Sequence, residues 1–243
     1  MTREHVLAGL ERLMGVCQRN GIPVEVERPS LHPPRAGDRV GGLPFDPILA
    51  AVYARSRRMA FGGESGGFYL YRADSVNELV DENEQVRQGW PEELRASLSV
   101  FAGEPALLYC FATVAGLAGE KGAQPVVKVD PYEEVVAIPI ASSVDRFFDT
   151  YSHFLERQVE RIREEAGFRA RLEAEFGPPA PGSLREFQSE RTARINFPWE
   201  VPDLIARDEP LVGLLRAGRF HFLMGGCEDI HKWVGKVLAA ART

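Results

Sequence analysis

Pro125-Val126-Val127-Lys128-Val129-Asp130, then Val135-Val136-Ala137-Ile138-Pro139-Ile140, then Ala141-Ser142-Ser143-Val144-Asp145-Arg146-Phe147-Phe148-Asp149-Thr150-Tyr151 form a stretch whose hydrophobic period changes part-way. The first two runs are short, β-branched and bounded by Gly, Pro or charge, as strands are. After Ser143 the apolar residues Val144, Phe147, Phe148, Tyr151, Phe154, Leu155, Val159 and Ile162 recur mostly at spacings of three and four. That spacing predicts a helix with one buried stripe, running to about residue 175. Ser142 and Ser143 each offer a hydroxyl to cap it. The strand signature also occurs upstream, at 68–71, 97–101 and 106–112. These strands follow one another too closely for helical crossovers, so the sheet should be largely antiparallel.

The flanking segments read as helices. Over residues 3–19, Val6, Leu10, Leu13, Met14 and Cys17 share a face, and Asn20-Gly21 supplies a C-terminal stop. Residues 28–42 have loop composition. A second helix begins within 43–47 and carries Leu49, Val52 and Tyr53, with Asp46 as N-cap before Pro47. Ser75-Val76-Asn77-Glu78 is a capping box ahead of a helix whose stripe is Val76, Leu79, Val80 and Val86. Gly177-Pro178-Pro179-Ala180-Pro181-Gly182 cannot continue a helix and marks the best boundary. The expected organisation is therefore a domain over 1–176 and an extension over 177–243. The extension should pack on the same core, because some 60 residues form only a marginal core alone. It contains a second capping box (Ser183 to Glu186), an irregular Asn196-Phe197-Pro198-Trp199, a short helix at 211–216 and a strand-like 220–224. It ends in a helix with Ile230, Trp233, Val234, Val237 and Leu238 on one face. The fold class expected is α+β, a mostly antiparallel sheet flanked by helices with a helical C-terminal extension.

Composition narrows the function classes. Of 243 residues, 44 % are apolar, enough for a sizeable core, and 26 % are charged, as in an ordinary soluble globule. No secretory signal is visible, and the longest nearly apolar run (105–119) falls short of a membrane span. Three widely spaced cysteines (Cys17, Cys110, Cys227) are no disulfide framework and suit a reducing cytoplasm. Residues 1–158 hold 16 basic and 22 acidic residues, which accounts for the whole net charge of −6. This disfavours nucleic acid and permits a basic protein partner.

Between Gly42 and Tyr151 the order of these signatures resembles the SUKH superfamily. Gly42-Leu43-Pro44-Phe45 opens the series, a glycine-rich turn leads to Phe68-Tyr69-Leu70-Tyr71, and Val126-Val127-Lys128-Val129 leads through Val135 to the Ser142-Ser143 helix. This superfamily includes bacterial immunity proteins and fungal cell-wall-assembly regulators. Many members carry an Asn-Gly pair after the Leu-Pro helix, where this chain has Arg57-Arg58-Met59. The resemblance implies an α+β protein-binding domain with no shared catalytic motif and no cofactor. As an immunity protein it would occlude a basic toxin domain stoichiometrically. Residues 177–243 lie outside the resemblance.

Three constellations could carry function. Gly63-Glu64-Ser65-Gly66-Gly67 matches G-x-S-x-G, the turn of serine hydrolases. That motif needs a strand before the serine and a helix after it, whereas here a helix precedes and a strand follows. Glycines supplying positive φ in a turn explain the letters as well. His221, Cys227, Glu228 and His231 form a second set, Cys227 and His231 four apart as metal ligands on a helix would be. Cys227 also fits the apolar stripe, and no second paired set completes a zinc signature. The third set is acidic: Asp74, Glu78, Asp81, Glu82 and Glu84, read either as a solvated face or as a surface steering a basic partner. A further alternative is a regulatory scaffold whose Phe197, Trp199 and Trp233 dock a partner or cap the sheet. No catalytic residue, cofactor or metal is assigned at this level.

Overall fold

The computed structural model describes residues 7–62, 67–105, 109–119, 121–132, 135–177 and 194–242. The fold is α+β and the sheet is antiparallel throughout. Among the described residues, seven strands make one sheet in the order β1 (Val24–Val26), β4 (Met59–Phe61), β5 (Phe68–Leu70), β6 (Leu98–Gly103), β7 (Cys110–Val114), β8 (Val126–Asp130), β9 (Val136–Ala141). A separate small hairpin joins β2 (Arg39–Val40) to β3 (Leu43–Pro44). The helices are α1 (Ala8–Arg19), α2 (Pro47–Tyr53), α3 (Val76–Val86), α4 (Glu92–Arg95), α5 (Val144–Phe176), α6 (Pro202–Ile205), α7 (Glu209–Arg216), α8 (His221–Met224) and α9 (Glu228–Ala240).

α5 lies across one face of the sheet. Ser143 caps it, its hydroxyl accepting from Arg146 N at 3.2 Å. Phe147, Phe148, Tyr151 and Phe154 face inward and meet Phe61, Phe68, Phe101 and Phe111 from four strands. α1 packs beside α5 at very close range. A methyl group on Gly9 would overlap the Asp145 carbonyl oxygen and lie 2.9 Å from Asp149 N. In return, Asp145 Oδ1 accepts from Gly9 N (3.0 Å) and Leu10 N (3.4 Å), satisfying amides that the start of α1 leaves free. Arg12 closes the seam, donating to Ser152 Oγ and Glu156 Oε2, both at 3.0 Å.

The opposite face carries α3, held by polar side chains. Buried Asn83 accepts from Val100 N (2.7 Å) and donates to Val100 O (2.8 Å), so the amide pairs with β6 much as a strand would. Arg87, one turn on, donates to the carbonyls of Asn83, Arg95 and Leu98. The inward face of α3 is thus Leu79 and Asn83, while Val76, Val80 and Val86 are half-buried, so of the expected stripe Leu79 alone is fully inside.

Several further expectations are corrected. The expected capping box at Ser75 does not close. The Ser75 hydroxyl caps nothing, and Glu78 Oε2 instead accepts from Asp74 N at 2.6 Å. By contrast, α2 starts at Pro47, within the expected 43–47 and capped as expected by Asp46, whose Oδ1 accepts from Ile48 N and Leu49 N, while Leu43 and Pro44 before it form a hairpin strand. Residues 220–224 form the last turn before Gly225 as a helix, since Leu223 N bonds back to Phe220 O within the turn and no strand is adjacent in the ladder. Strands β1, β2 and β4 are too short to show a period. The capping box at Ser183 lies outside the described residues.

Residues 194–242 share one continuous hydrophobic core with the rest of the chain. Phe197 packs on Tyr151 and Phe154, at centroid distances of 5.2 and 5.1 Å. Asp208, buried at 3 % exposure, accepts from Ser142 N and caps α7 through Leu211 N. On the surface, Arg157 grips Asp203 with two hydrogen bonds of 2.9 and 2.6 Å.

Gly9→Ala should cost about 1–3 kcal/mol, because α1 and α5 must separate to admit the methyl group; urea unfolding would show it as a lower midpoint with an unchanged slope. The Arg157 hydrogen bonds hold the Asp203 carboxyl below its usual range. Its contribution is therefore present above about pH 4 and lost as pH falls through the depressed folded value. Asp203→Asn should flatten the acid limb of stability against pH, by less than about 1 kcal/mol since the pair is exposed to solvent.

Candidate protein interface

Tyr69 and Tyr71 leave the sheet on the side away from α5, because they alternate with the inward Phe68 and Leu70. Their rings stand edge to face, 5.6 Å apart at 78°. Beneath them is Gly103 of β6, just past a bulge between Val100 and Ala102. A methyl group on Gly103 would lie 2.9 Å from Tyr71 Oη and 3.0 Å from Tyr69 Oη, so the glycine makes the space that both hydroxyls use. Trp90, Glu82, Gln85 and Gln88 from the end of α3 face them across a cleft of about 520 Å³, and Tyr109 closes its far end. Burial pushes the Tyr69 and Tyr71 hydroxyls up, and the nearby Glu82 carboxylate adds to the rise.

Tyr109 also borders a second groove, of about 870 Å³, between the β8–β9 turn and α9. Tyr132, Trp199 and Trp233 wall it, with Asp130, Asp229, Lys232 and Lys236 around them. Tyr109 meets Tyr132 edge-on at 5.3 Å. Burial raises the pKa of Tyr109, helped by the carboxylate of Asp130, to which it is hydrogen-bonded. On the sheet side, Lys128 Nζ sits 4.4 Å from the Tyr109 ring centroid. That buried ammonium is paired with Glu104 Oε1 at 2.6 Å and donates to Phe197 O at 3.0 Å. Tyr109 is therefore fixed from behind and shared by both grooves in front.

The acidic set divides. Asp74 is engaged by Arg57 Nη1 (3.3 Å) and Arg72 Nε (2.9 Å), and Glu78 by the Asp74 amide. Asp81 and Glu84 are exposed on α3, and Glu82 alone lines the tyrosine cleft. In the C-terminal set, His221 and His231 stand edge to face at 5.9 Å, with His231 Nε2 3.3 Å from Gly225 O. Cys227 is the N-cap of α9, packs half-buried against the core with Val234 and Leu238 of the apolar stripe, and borders the second groove. Among the described residues no three His, Cys, Asp or Glu side chains are placed to hold a metal ion. Ser65 lies outside the described residues. The strands on either side of residues 63–66, β4 and β5, are antiparallel partners, with Phe61 opposite Phe68. The element before these residues is thus a strand and not the expected helix, and a strand still follows where a nucleophile elbow needs a helix. Phe197 and Trp233 are buried within the molecule, Trp233 Nε1 donating to Pro198 O, so they cap the sheet. Burial raises the thiols of Cys17 to about 11 and Cys110 to about 12, far from the thiolate a nucleophile needs.

Of the aromatic residues of the two grooves, the sequence pointed to Trp199 and Trp233 as possible partner contacts, but not to Tyr69, Tyr71, Trp90, Tyr109 or Tyr132. The alternation in Phe68-Tyr69-Leu70-Tyr71 was the available signal, since period two sends both tyrosines to one face. No helix among the described residues is long and apolar enough to cross a membrane. No protein-family model, curated protein or solved structure matches this chain.

Lys128→Ala should cost about 3 kcal/mol by leaving the half-buried Glu104 without its partner, while Lys128→Met with Glu104→Leu should recover most of that. Urea midpoints of the single and double variants compare the two directly.

Proposed function

We propose that the chain is a non-catalytic protein-binding module of the SUKH kind, acting as an immunity protein that neutralises a cognate toxin by stoichiometric binding. The observation that carries this reading is the pair of aromatic-walled grooves meeting at Tyr109. Tyrosine and tryptophan in half-buried, polar-rimmed clefts are the side chains from which protein interfaces draw most of their energy. The exposed Asp81 and Glu84 beside the first cleft, and the acidic balance of residues 1–158, favour a basic partner by steering its approach. The resemblance between Gly42 and Tyr151 supplies the toxin as partner class. Cytoplasmic residence is part of the same proposal and agrees with three free cysteines.

The test is affinity purification from the native host of the wild-type chain and of a Tyr109→Ala, Tyr132→Ala variant. One basic protein should accompany the wild type in equal amount, fall about tenfold or more with the variant, and arrest growth when expressed without this chain. Equal recovery with the variant, or no partner together with esterase turnover, would sink the reading.

A further inference from the structure

The tyrosine cleft is selective in its chemistry as well as its shape. Two of its walls are the rings of Tyr69 and Tyr71, set nearly at right angles. Tyr109, the buried Trp90 and Glu82 complete its lining. Ring faces carry negative potential, and a corner of rings closed by a carboxylate attracts a cation while excluding an anion. The molecule already uses these rings in that way from outside the cleft. Arg58 Cζ stands 5.8 Å from the Tyr69 centroid, and Lys128 Nζ 4.4 Å from that of Tyr109. Both of those cations are balanced by the chain's own acids, Arg58 by Glu25 and Glu27, Lys128 by Glu104. Neither leaves uncompensated positive charge at the cleft.

We propose that this cleft receives one arginine side chain of the protein partner, its guanidinium stacked in the Tyr69–Tyr71 corner and hydrogen-bonded to Glu82. A guanidinium fits better than an ammonium because it is flat, stacks on rings and keeps in-plane N–H groups for a carboxylate. The side-chain carbonyls of Gln85 and Gln88 on the rim can accept the remaining donors. Gly103 is what leaves the floor open: any larger residue would push the two tyrosine hydroxyls into the space. The source of the arginine rests on the protein-binding reading above, whereas the cation chemistry of the cleft stands on its own residues.

L-argininamide is the probe, titrated calorimetrically into the full chain beside L-citrullinamide, which has nearly the same shape without the charge, and choline. Argininamide should bind saturably at one site, and citrullinamide about tenfold more weakly or not at all. Glu82→Gln should weaken argininamide about tenfold, while Glu209→Gln, the same charge change at the exposed start of α7, should leave it unchanged. Equal binding of citrullinamide, indifference to Glu82→Gln, or binding of choline in place of argininamide would overturn the proposal. Thermal melts of both variants confirm that any loss is local. Recovery of a partner without argininamide binding removes the arginine receptor and keeps the interface. Argininamide binding with no partner recovered overturns the protein source alone.

Discussion

Phe147 is the ring on which the two layers depend. Its centroid lies 4.8 Å from Phe111, 5.1 Å from Phe68, 6.1 Å from Phe101 and 6.5 Å from Phe197. One side chain of the long helix therefore touches three neighbouring strands and the C-terminal segment at once. Aromatic contacts of this kind add directional preference to plain burial. They fix the height of the helix above the sheet and its rotation about its own axis. Once that rotation is set, the opposite face of the helix is committed to α1, where Gly9 allows the backbones to approach. The tyrosines of β5 are committed to the other side of the sheet by the same step, because a strand that sends Phe68 inward must send Tyr69 outward.

The long amphipathic elements were legible in the sequence, since each repeats its signal. The stripe from Val144 to Ile162, the cap at Ser143 and the runs at 126–129 and 135–140 all read correctly to within a residue or so. What escaped was short or polar. β1, β2 and β4 have two or three residues each, fewer than any periodicity can reveal. α3 is seated by Asn83 and Arg87, residues that a hydrophobicity reading places on the outside. Lys128 reads from the sequence as one residue of a strand, yet its ammonium lies inside, where only the tertiary placement of Glu104 and Phe197 O makes it tolerable. The tyrosines of the candidate grooves are hard to read from the sequence for a related reason. They come from three separate places in the chain, and their convergence depends on a glycine in a fourth.

The candidate grooves and the scaffold are thus coupled through a few polar groups. Tyr109 leans on Lys128, and Lys128 is held by Glu104 and by the C-terminal segment through Phe197 O. Residues 194–242 accordingly do more than add bulk. They close the core over α5, supply one wall of the second groove through Trp199 and Trp233, and fix from behind the ring that both grooves share.

The sheet order also bears on how this molecule assembles. Every pairing but the first joins strands adjacent along the chain, so most of the sheet can grow as a succession of local hairpins with little loop-closure entropy to overcome. The seam between α1 and α5 is the opposite case, with 136 residues between Gly9 N and the Asp145 carboxylate that receives it. The aromatic stripe of α5 has nowhere to go until the strands exist, and α1 has nowhere to go until α5 is down. Placement of α1 therefore waits on a contact far along the chain, while the strands need only their neighbours. The amide ends that Asp145 finally satisfies stay with water until then.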